Sequence, residues 1–110
     1  MSTDRELLEL AAKAEGISFD SRYTTISPCG RKVLFCSETG PGSEWSPLLN
    51  DGDALRLAAK LEIDIEFGIK TIWANAGHRG LVGGDYSGDP CESLRRAITG
   101  AAAEIGRTMP

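Results

Sequence analysis

Between Trp45 and Phe67 the pattern of apolar and polar positions changes period once, and the rest of the chain can be read outward from that change. Asn50 or Asp51 stands where an N-cap is needed, and Asp53 falls in the first turn, where free N–H groups and the helix dipole favour a carboxylate. A helix is expected to start there. Leu55, Ala58 and Ala59 recur at helical spacing with Arg56 and Lys60 turned to water. From Glu62 to Phe67 the pattern becomes strict alternation, Ile63, Ile65 and Phe67 against Glu62, Asp64 and Glu66, which predicts a strand with one wet face.

Upstream, Thr3 and Glu6 form a capping box, and Leu7, Leu8 and Ala11 with Ala12 or Ala14 make a stripe that ends at Gly16, so a helix is expected over Asp4 to Glu15. Arg22 to Ser27 and Arg31 to Cys36 are rich in strand-forming residues and flank Pro28-Cys29-Gly30, the pattern of a hairpin. Ser37 to Ser46 carries the breakers Gly40, Pro41 and Gly42 and reads as an exposed loop. After Phe67, Gly68 marks a turn or bulge, and Ile69 to Ala74 supplies the second strand of another hairpin. Gly77 to Gly88 holds five of the thirteen glycines and is expected to be a loop.

Asp89, Pro90 and Glu92 then give the clearest helix start: a cap, a residue suited to the first helical position, and the carboxylate that closes the capping box. Leu94, Ala97, Ile98, Ala101, Ala102 and Ile105 follow at steps of three and four, with Gly106 as the expected stop. Gly100 inside that helix costs about 1 kcal/mol against Ala and reads as a concession to close packing. The expected order is αββαββα. It corresponds to a single α+β domain over residues 1–110, a layered sandwich in which a mostly antiparallel sheet of about four strands packs with three helices on one or both faces.

Composition narrows the function classes. A chain of 110 residues with 41% hydrophobic content suits one globular domain. A net charge of -4 provides no basic footprint for duplex nucleic acid or an anionic membrane. Three cysteines, Cys29, Cys36 and Cys91, with no CxxC fit a reducing cytoplasm better than a disulfide framework or zinc site. Cys36 and Cys91 are expected to serve as small apolar residues and Cys29 to be accessible. No signal-peptide core opens the chain and no run approaches a membrane span, so a soluble cytoplasmic protein is expected.

The pattern W-x-P-L-x-x-D-G-D-A-L-R-L-A-x-K-L over Trp45 to Leu61, with the opening ELLELAAKAEGI and the closing GDP-x(4)-RRAI-x(2)-AAAEIG, resembles the small phage proteins of the ABA-sandwich domain family, similar to the NinX-like phage family. The resemblance runs from the first helix to Gly106 and fades over Arg22 to Glu44 and Gly77 to Gly88. It implies a bacteriophage or prophage origin and helix-sheet-helix layers. It implies no established activity.

The candidate chemistry is sparse. Asp51, Asp53, Asp85 and Asp89 are four carboxylates that could converge on a cation, but capping accounts for Asp51, Asp53 and Asp89 without a ligand, and the ligand ladder of a calcium loop is missing. The segment around His78 and Arg79 matches neither phosphate-loop pattern. Its single histidine excludes a two-His zinc site, and no nucleophile signature accompanies it. No catalytic, cofactor-binding or metal residue is therefore assigned. Trp45, His78, Arg79, Asp85 and Tyr86 remain as candidate contacts for a partner or ligand, Arg and aromatic side chains being common interface anchors.

The expectation is a non-enzymatic accessory protein that binds a host or phage protein, as a counter-defence or regulatory factor. The alternatives are a homo-oligomer that sequesters a nucleotide signal and a virion assembly protein. No cofactor is expected.

Overall fold

The computed structural model describes residues 3–16, 34–36, 43–77 and 80–109, with the backbone alone described at 34–36 and 43–44. Its elements are α1 (Asp4–Glu15), β1 (Leu34–Cys36), β2 (Ser43–Trp45), α2 (Asp51–Leu61), β3 (Ile65–Gly68), β4 (Thr71–Asn75), β5 (Leu81–Asp85) and α3 (Pro90–Arg107). Among the described residues the fold is α+β: three helices, an antiparallel sheet of three strands in the order β3-β4-β5, one fewer than expected, and a separate β1–β2 pair. Among the described residues no helix is long and apolar enough to cross a membrane.

Each helix starts on the polar residue its sequence provides. The Thr3 hydroxyl accepts the Glu6 N–H at 3.1 Å, Asn50 Oδ1 accepts that of Asp53 at 2.9 Å, and Asp89 Oδ1 accepts that of Cys91 at 2.9 Å. Asn50 is thus the cap of α2, and Asp51 is its first helical residue. Gly16 closes α1 at φ 84°, its N–H returning to the carbonyls of Ala12 and Lys13. Glu62 closes α2 in the same left-handed region at φ 54°, a conformation that costs an L side chain more than glycine.

Four expectations are revised. The buried face of α2 is Ala54, Leu57 and Ala58, one step round from the expected one, so Leu55 and Ala59 lie in water. β1 pairs with Ser43–Trp45 across the Gly40-Pro41-Gly42 region, which makes the end of the expected loop a strand; Arg22 to Ser27 lies outside the described residues. Gly77 to Gly88 contains β5, paired along its length with β4. Helix α3 runs past Gly106 to Arg107.

The last two revisions share a physical cause, close approach of backbones. A side chain on Gly83 would run into the backbone of Ile72 in the adjacent strand, and Gly83 itself sits at φ 131°. A Cβ on Gly106 would run into the Leu10 carbonyl of α1. These glycines permit contact instead of ending an element. Gly100 has the expected role, since a Cβ there would lie 2.7 Å from Val82 Cγ1 of β5.

Helix α3 is the most enclosed element, with every residue from Ala97 to Ala103 buried. It packs against α1 and α2 and over β4 and β5. Its neighbours fix the helix directions. Arg96 pairs with Asp4 at 3.1 Å near the start of α1, and Lys13 Nζ donates to the Met109 carbonyl at 2.7 Å near its end, so α1 and α3 run parallel. Arg95 pairs with Asp51 at 2.7 Å at the start of α2, while Leu61 and Ile105 line one groove at the other end, so α2 is parallel to α3 as well. The odd number of strands between α2 and α3 produces this: three alternating strands return the chain to the end where α2 began. Two strands would have left the helices antiparallel.

Candidate functional site

Strand β3 is an edge of the sheet, and its alternation places Ile65 and Phe67 on the face shared with Ile72 and Ala74, with Glu66 on the opposite face beside Trp73. Helix α3 lies over β4 and β5, so Phe67 on the far strand projects past it and is 68% exposed. Ile69, in the turn that follows, is 96% exposed. Expected to point into the core, Phe67 instead forms an apolar tip with Ile69. Single apolar residues on a surface are ordinary, but here two large ones stand exposed within three residues at a hairpin tip.

The backbone of that edge is also available. Asn75 donates its N–H to the Asp64 carbonyl at 2.8 Å, which makes Asp64 and Asn75 a hydrogen-bonded pair of the antiparallel ladder. Such pairs alternate, so Glu66 and Gly68 also turn their backbone groups to β4, while Ile65 and Phe67 turn theirs outward. Among the described residues no strand pairs with that outer side, and Glu66, Phe67 and Gly68 are all exposed. The free edge begins at Ile65, because the Ile63 N–H is already donated to the Ala58 carbonyl at 2.9 Å.

Beside the start of β3 lies an open groove of about 520 Å³, within the size range of small-ligand sites. Leu61, Ala76 and Ile105 supply its apolar lining, and Glu62 and Asp64 supply carboxylates. The Asn75 side chain there accepts the Gly77 N–H at 2.8 Å, and the Thr108 hydroxyl donates to the Ile105 carbonyl at 2.9 Å. Because α2 and α3 both end here, the groove meets the negative ends of two parallel helix dipoles as well as two carboxylates. It suits a cationic group and repels a phosphate.

Of the carboxylates singled out in the sequence, Asp51, Asp53 and Asp89 are engaged within the protein. Asp51 pairs with Arg95, whose Nε also donates to the Leu48 carbonyl at 3.0 Å. Asp53 pairs with Arg56 at 2.6 Å and accepts the Ser46 N–H at 3.0 Å, which fastens the Trp45 segment to α2. Asp89 is a cap, Glu92 lies in the first turn of α3, and Asp85 is exposed at the end of β5 opposite Thr71. Among the described residues no group of three or more His, Cys, Asp or Glu is placed to hold a metal ion.

Of the candidate contacts, Trp45 is 7% exposed and belongs to the core, so it offers no surface to a partner. Tyr86 is half-buried, packed against the core, with its N–H on the Lys70 carbonyl at 3.0 Å. His78 and Arg79 lie outside the described residues. Cys91 is exposed at the start of α3, not the buried apolar residue expected. Sequence reasoning missed Phe67, Ile69 and the Glu62–Asp64 groove. The alternation over Glu62 to Phe67 did contain the signal, since a strand followed by an unpaired Ile in a turn exposes its last apolar positions when no helix reaches them.

No family model, curated protein or solved structure matches the chain. The sheet edge and the acidic groove are the features from which function is read.

Proposed function

We propose that the chain is a non-enzymatic accessory protein that engages another protein through the β3–β4 hairpin. The observation that carries this reading is the joint exposure of Phe67 and Ile69 beside a strand edge whose backbone groups face outward. Apolar side chains flanking unpaired N–H and C=O groups are a liability in water and an asset in recognition. The resemblance over Trp45 to Leu61 and the flanking helices supports a phage or prophage origin, in which case the partner is a host or phage protein. Sequestration of a nucleotide signal is disfavoured by the acidic character of the groove, which selects for cations.

The test is affinity capture from bacterial lysate, with and without phage infection, comparing the native chain with the Phe67→Ser/Ile69→Ser double variant. The native chain is expected to retain a stoichiometric protein that the variant loses while keeping its melting temperature. Equal retention by both would contradict the reading.

A further inference from the structure

We propose that β3 accepts on its outer edge an antiparallel, extended segment of the partner in which Lys or Arg alternates with apolar residues. The inference deepens the protein-binding role above and rests on it. Two residues, Ile65 and Phe67, present N–H and C=O groups outward, so an added strand would form hydrogen-bonded pairs opposite them and a non-hydrogen-bonded pair opposite Glu66. Side chains approach most closely in the non-hydrogen-bonded pair. The residue facing Glu66 is therefore the one whose charge matters most, and a cation is favoured there.

The remaining positions follow from the pleat. Partner residues opposite Ile65 and Phe67 lie on the helix side of the sheet, where they meet exposed apolar surface, so apolar side chains fit. The residue opposite Asp64 shares the outer face with the one opposite Glu66, so a second basic side chain fits beside that carboxylate. Asp64 and Glu66 thus form a short acidic row at alternate positions of one sheet face, complementary to a basic row on the incoming strand.

The same row argues against a second copy of the chain as the occupant. Antiparallel pairing of β3 with itself would set Glu66 against Asp64 of the other copy when centred on Ile65, or against its Glu66 when centred there, and like charges directly opposite destabilise a sheet. The other edge, β5, is a poor receptor by comparison. Gly83 and Gly84 sit there at φ 131° and 145°, away from ordinary strand geometry, and offer no side chains to grip a partner.

The experiment is an NMR titration of the isotopically labelled protein with a capped octapeptide alternating Val with Lys and Arg, and with its counterpart carrying Glu at the basic positions. The basic peptide is expected to shift the Ile65 and Phe67 amides most, and the acidic one to leave them unmoved. Glu66→Lys should weaken the basic peptide about tenfold and admit the acidic one, as one cross-strand pair passes from attraction to repulsion. Unmoved Ile65 and Phe67 amides at millimolar basic peptide would overturn strand addition, while loss of captured partner in the Phe67→Ser/Ile69→Ser variant would still uphold the hairpin as a protein-binding surface. A concentration-dependent dimer that shifts the same amides without peptide would overturn it in favour of a second copy.

Discussion

Along the seam between α1 and α3, Gly106 lies so close to Leu10 that no side chain fits between the helices, and the buried run from Ala97 to Ala103 is made largely of small residues. Along the outer edge of β3 the opposite holds: Glu66, Phe67 and Ile69 are charged or large and stand in water. The seam gains its stability from many short van der Waals contacts that small residues permit and large ones would prevent. Among the described residues the edge leaves apolar area and backbone groups unspent. A protein can keep such an edge only if its core holds the fold without it, so substitutions in the two regions should separate cleanly into effects on stability and effects on binding.

The largest effect is expected at the seam. Gly106→Val forces α1 away from α3 and should destabilise by about 3 kcal/mol or more, read as a fall in the denaturant midpoint. Arg95→Met removes the Asp51 pair and the hydrogen bond to the Leu48 carbonyl, a partly buried contact that ties α3 to the start of α2. A loss of about 1–2 kcal/mol is expected in thermal unfolding. For Gly100→Ala the helix gains about 1 kcal/mol of propensity, and the new methyl pushes on Val82, a half-buried side chain with room to move. A change within about 1 kcal/mol distinguishes this site from Gly106, where backbone is in the way.

At the edge the expected stability effects are small. Phe67→Ser and Glu66→Lys should each shift unfolding by no more than about 0.5 kcal/mol, the usual range for exposed positions, while changing partner binding. A loss of stability from Phe67→Ser as large as that from Gly106→Val would erase the distinction between the two regions.

Much of this architecture was legible in the sequence, and what was missed shares one cause. The three helix starts could be read because capping is local: Thr3, Asn50 and Asp89 each satisfy N–H groups two or three residues away. β5 could not be read. Its Gly83 and Gly84 lower strand propensity, and the reason for them lies in the adjacent Ile72 and Trp73, which are distant in sequence. With β5 counted as loop, the strand number between α2 and α3 came out even, and the parallel helix arrangement was hidden with it. The candidate contacts fared similarly, because Trp45 read as a surface contact and belongs to the core, on a segment whose Ser46 N–H is held by Asp53 of α2.

Among the described residues nothing pairs with the outer side of β3, and amide hydrogen exchange on the native protein tests most directly whether that edge is free. Glu66 and Gly68, bonded to β4, should be protected, and Ala101 and Ala102 in α3 should exchange only with global unfolding. Ile65 and Phe67, one residue away on the same strand, should exchange orders of magnitude faster. Protection of Ile65 and Phe67 equal to that of Glu66 would mean that the edge is already covered, and the account of β3 as a receiving strand would fall.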